Sequence, residues 1–230
     1  MTSDIEYLDV ADRRVAYRLR GGASPTLVFL PGYASDMEGT KALALDAFAE
    51  RRSLAMLRFD YSGTGSSGGS FKDGTLALWL EEAFAAIDRL TEGPLILVGS
   101  SMGGWLALHL ALRSDRVQAL VGIAAAPDFT DWGFANSAEA ERAGLSLGLW
   151  RSGQKLLLLD KQIAIDCPVR LLHGEQDNDV PLDVAFRTMR ALRSADVQLT
   201  VLKGGGHRLS EPHEIDAILR TVTELLEPAL

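Results

Sequence analysis

Cysteine is nearly absent from this sequence, which has one residue of that type, Cys167, among 230. A single cysteine excludes an intrachain disulfide, and it is typical of proteins in a reducing compartment. The fold must therefore depend on a buried apolar core, for which a chain of this length is sufficient. Cys167 precedes Pro168 at the start of an apolar run, so we expect it to be a small buried residue.

A long apolar run and an excess of positive charge are also missing. No apolar run approaches the roughly 20 residues of a membrane-spanning helix. The net charge of -8 disfavours nonspecific binding to nucleic acid or to anionic membranes. We therefore expect neither a membrane span nor a nucleic-acid partner.

The first ten residues, MTSDIEYLDV, are acidic and have no apolar core. A secretory signal peptide needs an apolar segment, and a transit peptide is rich in arginine and poor in acidic residues. On this evidence we expect a cytoplasmic protein.

Internal repeats, low-complexity tracts and linkers are absent too, and strand-like runs instead alternate with helix-like runs. This alternation predicts an α/β fold, in which a mostly parallel sheet carries helices on both faces. We expect a single domain over residues 1–230. The predicted strands cover residues 14–19, 26–30, 54–59, 95–98, 117–125, 169–172 and 197–202, and the predicted helices cover residues 41–52, 76–90, 105–112, 182–193 and 212–226.

Residues 128–162 interrupt this alternation, since the segment has no strand-like run. A short cap-like insertion at this point would lie over the carboxyl ends of the strands, where open α/β sheets bind ligands. The segment contains the aromatic residues Phe129, Trp132, Phe134 and Trp150. These side chains either line an apolar substrate pocket or only anchor the insertion to the sheet, and the sequence leaves both interpretations open.

The segment PLILVGSSMGGWLALHLAL places Ser101 between an apolar strand and an apolar helix. Gly99, Ser101 and Gly103 match the pattern G-x-S-x-G, in which the serine lies on a sharp strand-to-helix turn. Small residues two positions away on either side prevent steric clashes at such a turn. Ser101 is therefore a candidate nucleophile, although a plain tight turn is the alternative interpretation.

A nucleophilic serine needs a general base, and four histidines are available. His207 is the candidate, because it follows three glycines in a loop after the last predicted strand and can reach over the sheet. We expect His109, His173 and His213 to have structural roles.

The base in turn needs a carboxylate that orients it. Asp177 is the candidate, since it lies in the loop after the penultimate predicted strand. Asp179, in the same loop, is the reserve candidate, and its ordinary role would be that of a solvated turn or helix-cap residue near Pro181.

Acyl transfer also needs two N–H donors where negative charge develops on the substrate. The backbone of Met102, the residue after the candidate nucleophile, should supply one donor. Gly32 allows the backbone of the loop after the second strand to approach the site, and Tyr33 N–H is our second candidate. An ordinary turn at Pro31 and Gly32 is the alternative.

The segment GTGSSG at residues 63–68 matches the G-x-G-x-x-G pattern of dinucleotide sites. It follows a later strand rather than the first one, and a polar segment delays the next helix. We therefore interpret it as a glycine-rich loop, and we expect no metal and no organic cofactor.

Four segments together, PGYASDMEGTKA, RFDYSGTGSS, LVGSSMGGW and CPVRLLHGEQDNDVP, resemble serine hydrolases of the α/β-hydrolase fold. They are similar to the branch that contains a mitochondrial acyl-protein thioesterase, which also cleaves mycophenolic acid acyl-glucuronide. The resemblance runs from about residue 26 to the C-terminus and is weakest in the insertion. It implies a nucleophile at Ser101, an acid at Asp177, a base at His207, and a glycine-rich loop held by Asp60.

We therefore expect a hydrolase that cleaves carboxylic esters or thioesters of small molecules or acylated proteins, with medium-to-long acyl groups as the first choice. A short-chain or acyl-glucuronide esterase is the alternative substrate class. A non-catalytic binding protein on the same scaffold is the alternative from another functional class. C–C bond hydrolysis or perhydrolysis by the same residues would depend on details of the pocket that the sequence does not reveal. The sequence does not predict the oligomeric state.

Overall fold

Eight strands form a single sheet in the computed structural model, which describes residues 4–227. The order across the sheet is β1-β2-β4-β3-β5-β6-β7-β8, and only the β1–β2 and β2–β4 pairs are antiparallel. The mostly parallel sheet predicted from the sequence is therefore confirmed. The strands are β1 (Glu6–Val10), β2 (Arg13–Arg20), β3 (Ala23–Leu30), β4 (Leu54–Phe59), β5 (Leu95–Ser100), β6 (Val117–Ile123), β7 (Val169–Gly174) and β8 (Val197–Leu202).

Five long helices cover the two faces of the sheet. Helices α1 (Thr40–Arg52) and α8 (Pro212–Leu226) pack on one face, and α2 (Leu76–Leu90), α3 (Met102–Ala111) and α7 (Leu182–Ala191) pack on the other. Side chains alternate along each strand, so β5 contributes Leu95 and Leu97 to one core and Ile96 and Val98 to the other.

No helix within residues 4–227 combines the length and the apolar character that crossing a membrane requires.

Three short helices lie between β6 and β7: α4 (Phe129–Trp132), α5 (Ser137–Arg142) and α6 (Leu147–Gly153). The buried Asp128 precedes them, and its carboxylate accepts hydrogen bonds from the N–H groups of Leu158 at 2.9 Å and Leu159 at 2.7 Å. These bonds join the two ends of the segment, so it emerges from one point at the carboxyl edge of the sheet.

The sequence did not predict β1, nor the start of β3 at Ala23. Strand β1 lies at the edge of the sheet and buries only Val10, so it lacks a clear apolar pattern. Residues 1–3 and 228–230, which the expected single domain includes, lie outside the described residues.

Candidate active site

Ser101 lies at the turn between β5 and α3, with a φ of 53° and a ψ of -119°. Such a backbone conformation is strained for a residue with a side chain and costs about 1–3 kcal/mol. It persists because helix and strand approach each other without side chains in between: a Cβ on Gly99 would collide with the Gly103 carbonyl, and a Cβ on Gly103 would collide with the Leu30 carbonyl. Helix α3 starts directly after Ser101, three residues earlier than predicted.

His207 lies in the loop between β8 and α8, and its Nε2 is 3.1 Å from the Ser101 Oγ. The other ring nitrogen, Nδ1, is 2.8 Å from Oδ2 of Asp177. Three side chains from three separate loops thus form one continuous hydrogen-bonded chain. In the tautomer with the proton on Nδ1, Nε2 can accept the proton of the Ser101 hydroxyl.

Asp177 lies in the loop after β7, and its carboxylate is fully engaged. Its Oδ1 accepts hydrogen bonds from the N–H groups of Asp179 at 2.9 Å and Val180 at 2.8 Å, which leaves Oδ2 for His207. Burial by itself would raise the pKa of Asp177, but the hydrogen bonds from His207 and from these N–H groups outweigh it, so the pKa lies below its usual value. Asp177 is therefore ionised near neutral pH and can orient the imidazole.

The other three histidines lie elsewhere in the fold. His109 is buried in α3 and contacts the Leu156 carbonyl, and His213 is exposed at the start of α8. His173 is buried beside the site, where its Nε2 lies 2.9 Å from the Val180 carbonyl and 3.5 Å from Asp177 Oδ2. It therefore supports the loop that carries Asp177.

Within residues 4–227, one group of three side chains could hold a metal ion: Asp177, Asp179 and His207. Two of these three are bonded to each other and belong to the hydrogen-bonded chain of Ser101. The geometry therefore suits proton transfer, and Asp179 contributes an exposed carboxylate beside it.

The two predicted oxyanion donors, Tyr33 and Met102, line the same cavity as Ser101 and His207. Among the described residues, neither backbone N–H donates a hydrogen bond to an acceptor of the protein. Met102 N–H lies at the start of α3, where the helix dipole favours negative charge. Both groups are thus available to an oxygen atom bound next to Ser101.

An apolar cavity of about 330 Å³ lies between Ser101 and the segment 128–162. Phe129, Trp132 and Phe134 line it. Phe129 also packs edge-on against Trp105 at 5.6 Å between ring centroids, so the same side chain anchors the insertion and lines the cavity. The two interpretations left open by the sequence therefore both apply to Phe129.

Trp150 is not among the residues that line this cavity, so the cavity does not support the substrate-binding interpretation that the sequence left open for it. Its side chain is partly buried against the main core on the face that carries α2 and α3. Helix α6 directs the Trp150 side chain towards the core. The presence of aromatic residues in the insertion could not show which of them face the core and which face the cavity.

A second, polar cavity of about 420 Å³ lies on the other side of Ser101, next to the start of α1. Lys41 and Arg208 line it together with hydroxyl groups of Ser35 and Ser210. The Lys41 ammonium donates a hydrogen bond to the Arg208 carbonyl, and burial lowers the pKa of Lys41. Sequence analysis missed both cations, although Arg208 directly follows the candidate base.

The glycine-rich segment at residues 63–68 forms a loop at the end of β4, with no helix beginning in it. Asp60 Oδ2 accepts a hydrogen bond from Ser66 N–H at 2.7 Å, and a Cβ on Gly65 would collide with the Asp60 carboxylate. The expected loop held by Asp60 is therefore confirmed.

The family described as alpha/beta hydrolase fold matches residues 25–158, more than half of the chain. The chain belongs to the α/β-hydrolase family. It is accordingly a hydrolase, and the resemblance inferred from the four sequence segments is confirmed.

Individual members of the family are similar over nearly the whole chain. The human protein named palmitoyl-protein thioesterase ABHD10, mitochondrial, is 37% identical over 93% of this chain and 76% of its own length. The solved structure of alpha/beta hydrolase domain-containing protein 10 from mouse is 33% identical and has a TM-score of 0.92 over 97% of this chain and 98% of its own. Est1E from Butyrivibrio proteoclasticus, at 21% identity, has a TM-score of 0.82 over 96% of this chain and 97% of its own, and shows the fold alone.

The expectation of a cytoplasmic location is wrong. The relatives from human, cattle and mouse, 36% to 37% identical over 93% of this chain, are each named as mitochondrial. The expectation depended on ten N-terminal residues and one cysteine. The cellular compartment of a protein is determined by its targeting segments, and a hydrolase domain folds without them. Neither the N-terminal residues nor the cysteine content could therefore decide the location.

Proposed function

We propose that this chain is a serine thioesterase and carboxylesterase that forms an acyl-enzyme on Ser101. The observation that carries the proposal is the hydrogen-bonded chain Ser101–His207–Asp177, with distances of 3.1 Å and 2.8 Å, beside an apolar cavity. The name of the human relative, a palmitoyl-protein thioesterase, supports an acyl thioester as the substrate.

In the proposed reaction, His207 Nε2 takes the proton of the Ser101 hydroxyl while Oγ attacks the acyl carbonyl. The N–H groups of Tyr33 and Met102 donate hydrogen bonds to the oxyanion that forms, and Asp177 stabilises the imidazolium. His207 then gives its proton to the departing thiolate or alkoxide. Water, deprotonated by His207, hydrolyses the acyl-enzyme and releases the carboxylic acid.

The acyl chain occupies the apolar cavity between Ser101 and the insertion. Phe129, Trp132 and Phe134 present their side chains there, and burying each methylene group contributes up to about 0.8 kcal/mol. This corresponds to a gain in kcat/KM of up to about fourfold per methylene until the cavity is full.

The test is hydrolysis of acyl thioesters and aryl esters with two to sixteen acyl carbons, with Ser101→Ala as the blank. We expect kcat/KM to rise with chain length beyond about eight carbons, and Ser101→Ala to lose about a thousandfold or more of the activity. Trp132→Ala should reduce the ratio of long-chain to short-chain kcat/KM, whereas Trp150→Ala, which lies outside the cavity, should leave that ratio unchanged.

A rate that peaks at two to four carbons and then falls would contradict the long-chain assignment. It would favour the second candidate, a short-chain or acyl-glucuronide esterase. The polar cavity on the other side of Ser101 is the specific observation in its favour, because Lys41, Arg208 and nearby hydroxyl groups suit an anionic, hydroxyl-rich leaving group.

A fluorophosphonate probe separates both candidates from a non-catalytic binding protein. We expect the probe to add its mass to Ser101 of the native chain, because the serine is activated by His207. An unlabelled native protein that nevertheless binds acyl compounds would contradict the enzyme proposal.

A further inference from the structure

The proposed oxyanion donor Tyr33 N–H lies in a loop with few bonds of its own. We define the oxyanion loop as residues 31–39, between β3 and α1. One backbone hydrogen bond, from Ser35 N–H to the Gly32 carbonyl at 3.2 Å, spans the turn that contains Tyr33. Ala34 in this turn has a φ of 54°, a conformation that is uncommon for a residue other than glycine.

Two buried charged side chains hold the oxyanion loop at Met37. The Met37 N–H donates to Asp60 Oδ1 at 2.7 Å, and the Met37 carbonyl accepts from Arg58 Nη1 at 2.8 Å. Asp60 and Arg58 are each only 1% exposed. Hydrogen bonds to ionised groups are about twice as strong as neutral ones, and burial protects them from competition by water.

Asp60 also joins the oxyanion loop to the glycine-rich loop after β4. Its second oxygen, Oδ2, accepts the hydrogen bond from Ser66 N–H at 2.7 Å, so one carboxylate connects two loops at the carboxyl edge of the sheet. Arg58 lies in β4 and Asp60 directly follows it, so both residues bind Met37 from a central strand of the sheet.

From this geometry we propose that Asp60 and Arg58 are positioning residues that fix the oxyanion loop, and with it the Tyr33 N–H, relative to Ser101. The proposal rests on the proposed role of Tyr33 as an oxyanion donor. Neither side chain lines the cavity between Ser101 and the insertion, so both act through the oxyanion loop. Asp60 contacts it at the Met37 peptide, and Arg58 contacts both that peptide and the Glu38 carboxylate, which lies 3.2 Å from its Nη1. A displacement of about 1 Å at an oxyanion donor can reduce the rate by about a hundredfold.

Glu82 provides a matched control for Asp60. It is also a fully buried carboxylate, and it binds the start of the glycine-rich loop by accepting hydrogen bonds from Ser62 N–H at 2.9 Å and from the Ser62 hydroxyl. Within residues 4–227, no hydrogen bond joins Glu82 to the oxyanion loop. Glu82→Gln should therefore destabilise the fold without moving Tyr33.

The experiment compares Asp60→Ala, Asp60→Asn, Arg58→Met and Glu82→Gln. Active sites are counted by fluorophosphonate labelling, and kcat is expressed per labelled site with a short aryl ester as substrate. The Ki of a trifluoromethyl ketone, whose adduct with Ser101 carries the oxyanion, is measured alongside. This separates loss of folded protein from loss of oxyanion binding.

We expect Asp60→Ala to lower kcat per labelled site by about tenfold to a hundredfold and to raise the Ki of the trifluoromethyl ketone by a similar factor, with KM little changed. Asp60→Asn keeps one acceptor for Met37 N–H and should recover part of the loss. Arg58→Met should resemble Asp60→Ala, and Glu82→Gln should retain kcat per labelled site within about twofold.

If Asp60→Asn and Arg58→Met both had the same kcat per labelled site as the wild type, the inference would be overturned, even if Asp60→Ala failed to fold. An unchanged Ki for the ketone would overturn it as well. A wild-type chain that neither labels nor hydrolyses would instead contradict the proposed function itself.

Discussion

Asp177, and not Asp179, faces His207 because of two backbone hydrogen bonds. The N–H groups of Asp179 and Val180 both point to Asp177 Oδ1, which turns the carboxylate so that Oδ2 meets His207 Nδ1. The Asp177 side chain is 1% exposed, whereas Asp179 is exposed. Two carboxylates two positions apart thus have different environments, and only one of them is suited to stabilise an imidazolium.

Replacing each carboxylate by its amide tests this difference. Asp177→Asn should lower kcat by about a thousandfold or more, because the amide can donate to Nδ1 and favour the wrong tautomer of His207. Asp179→Asn should change kcat by less than about threefold, since its side chain is exposed. Both variants are measured on the same aryl ester per gram of folded protein, and equal losses in the two would contradict the assignment of Asp177.

Helix α3 connects Ser101 to the insertion. Trp105 Nε1 donates to the Leu156 carbonyl at 3.1 Å, and His109 Nε2 lies 2.9 Å from the same oxygen. Burial lowers the pKa of His109 to about 4, although the hydrogen bond to Leu156 opposes this shift. His109 is therefore neutral in the folded protein at a pH at which it would be protonated in the unfolded chain.

The low pKa of His109 predicts a loss of stability in mild acid. His109 binds a proton below about pH 6.5 in the unfolded chain but only near pH 4 in the folded protein. The free energy of unfolding is therefore unaffected by His109 above pH 6.5, and it decreases as the pH falls towards 4. The loss amounts to about 3 kcal/mol at most. It is measured as the change in unfolding free energy between pH 7 and pH 4.5 in denaturant titrations.

His109→Gln removes the titrating group but keeps a donor for the Leu156 carbonyl. We expect its unfolding free energy to fall less than that of the wild type over the same pH range. His213→Gln, which replaces an exposed histidine, serves as the control and should follow the wild type. A His109→Gln curve parallel to the wild type would refute the buried neutral histidine as the source.

The two cores of the molecule share one sheet. One core contains α2, α3 and α7, the other contains α1 and α8, and strands β3 to β7 contribute alternate side chains to both. Loss of either core would expose one face of every central strand. The two cores should therefore unfold together, as the expected single domain requires.

The distribution of tryptophan makes this cooperativity measurable. All four tryptophans, Trp79, Trp105, Trp132 and Trp150, lie in the core of α2 and α3 or in the insertion, and none belongs to the core of α1 and α8. Fluorescence therefore reports one face of the sheet, whereas far-ultraviolet circular dichroism reports the whole chain. We expect the two signals to give the same urea midpoint, and separate midpoints would show that the two faces unfold independently.

Much of the candidate site was predictable because parallel strands end at the same edge of a sheet. Ser101, Asp177 and His207 each follow a predicted strand, so their loops had to meet at the carboxyl edge even though the chain separates them by up to 106 positions. The glycines around Ser101 added the local requirement of a sharp turn. These inferences needed only periodicity and residue type.

The orientation of individual side chains in the site could be seen only in the tertiary structure. Whether Asp177 or Asp179 meets His207, and whether Trp132 or Trp150 lines the cavity, depends on how each loop or short helix is turned in the fold. The contacts of Met37 with Arg58 and Asp60 join positions more than 20 residues apart, and no local pattern encodes them. The sequence by itself therefore determined the fold and the three loops of the site, because these follow from local patterns along each strand and turn, and the resemblance of four segments implied the family. Which side chains face the reacting atoms was decided only by packing between distant segments.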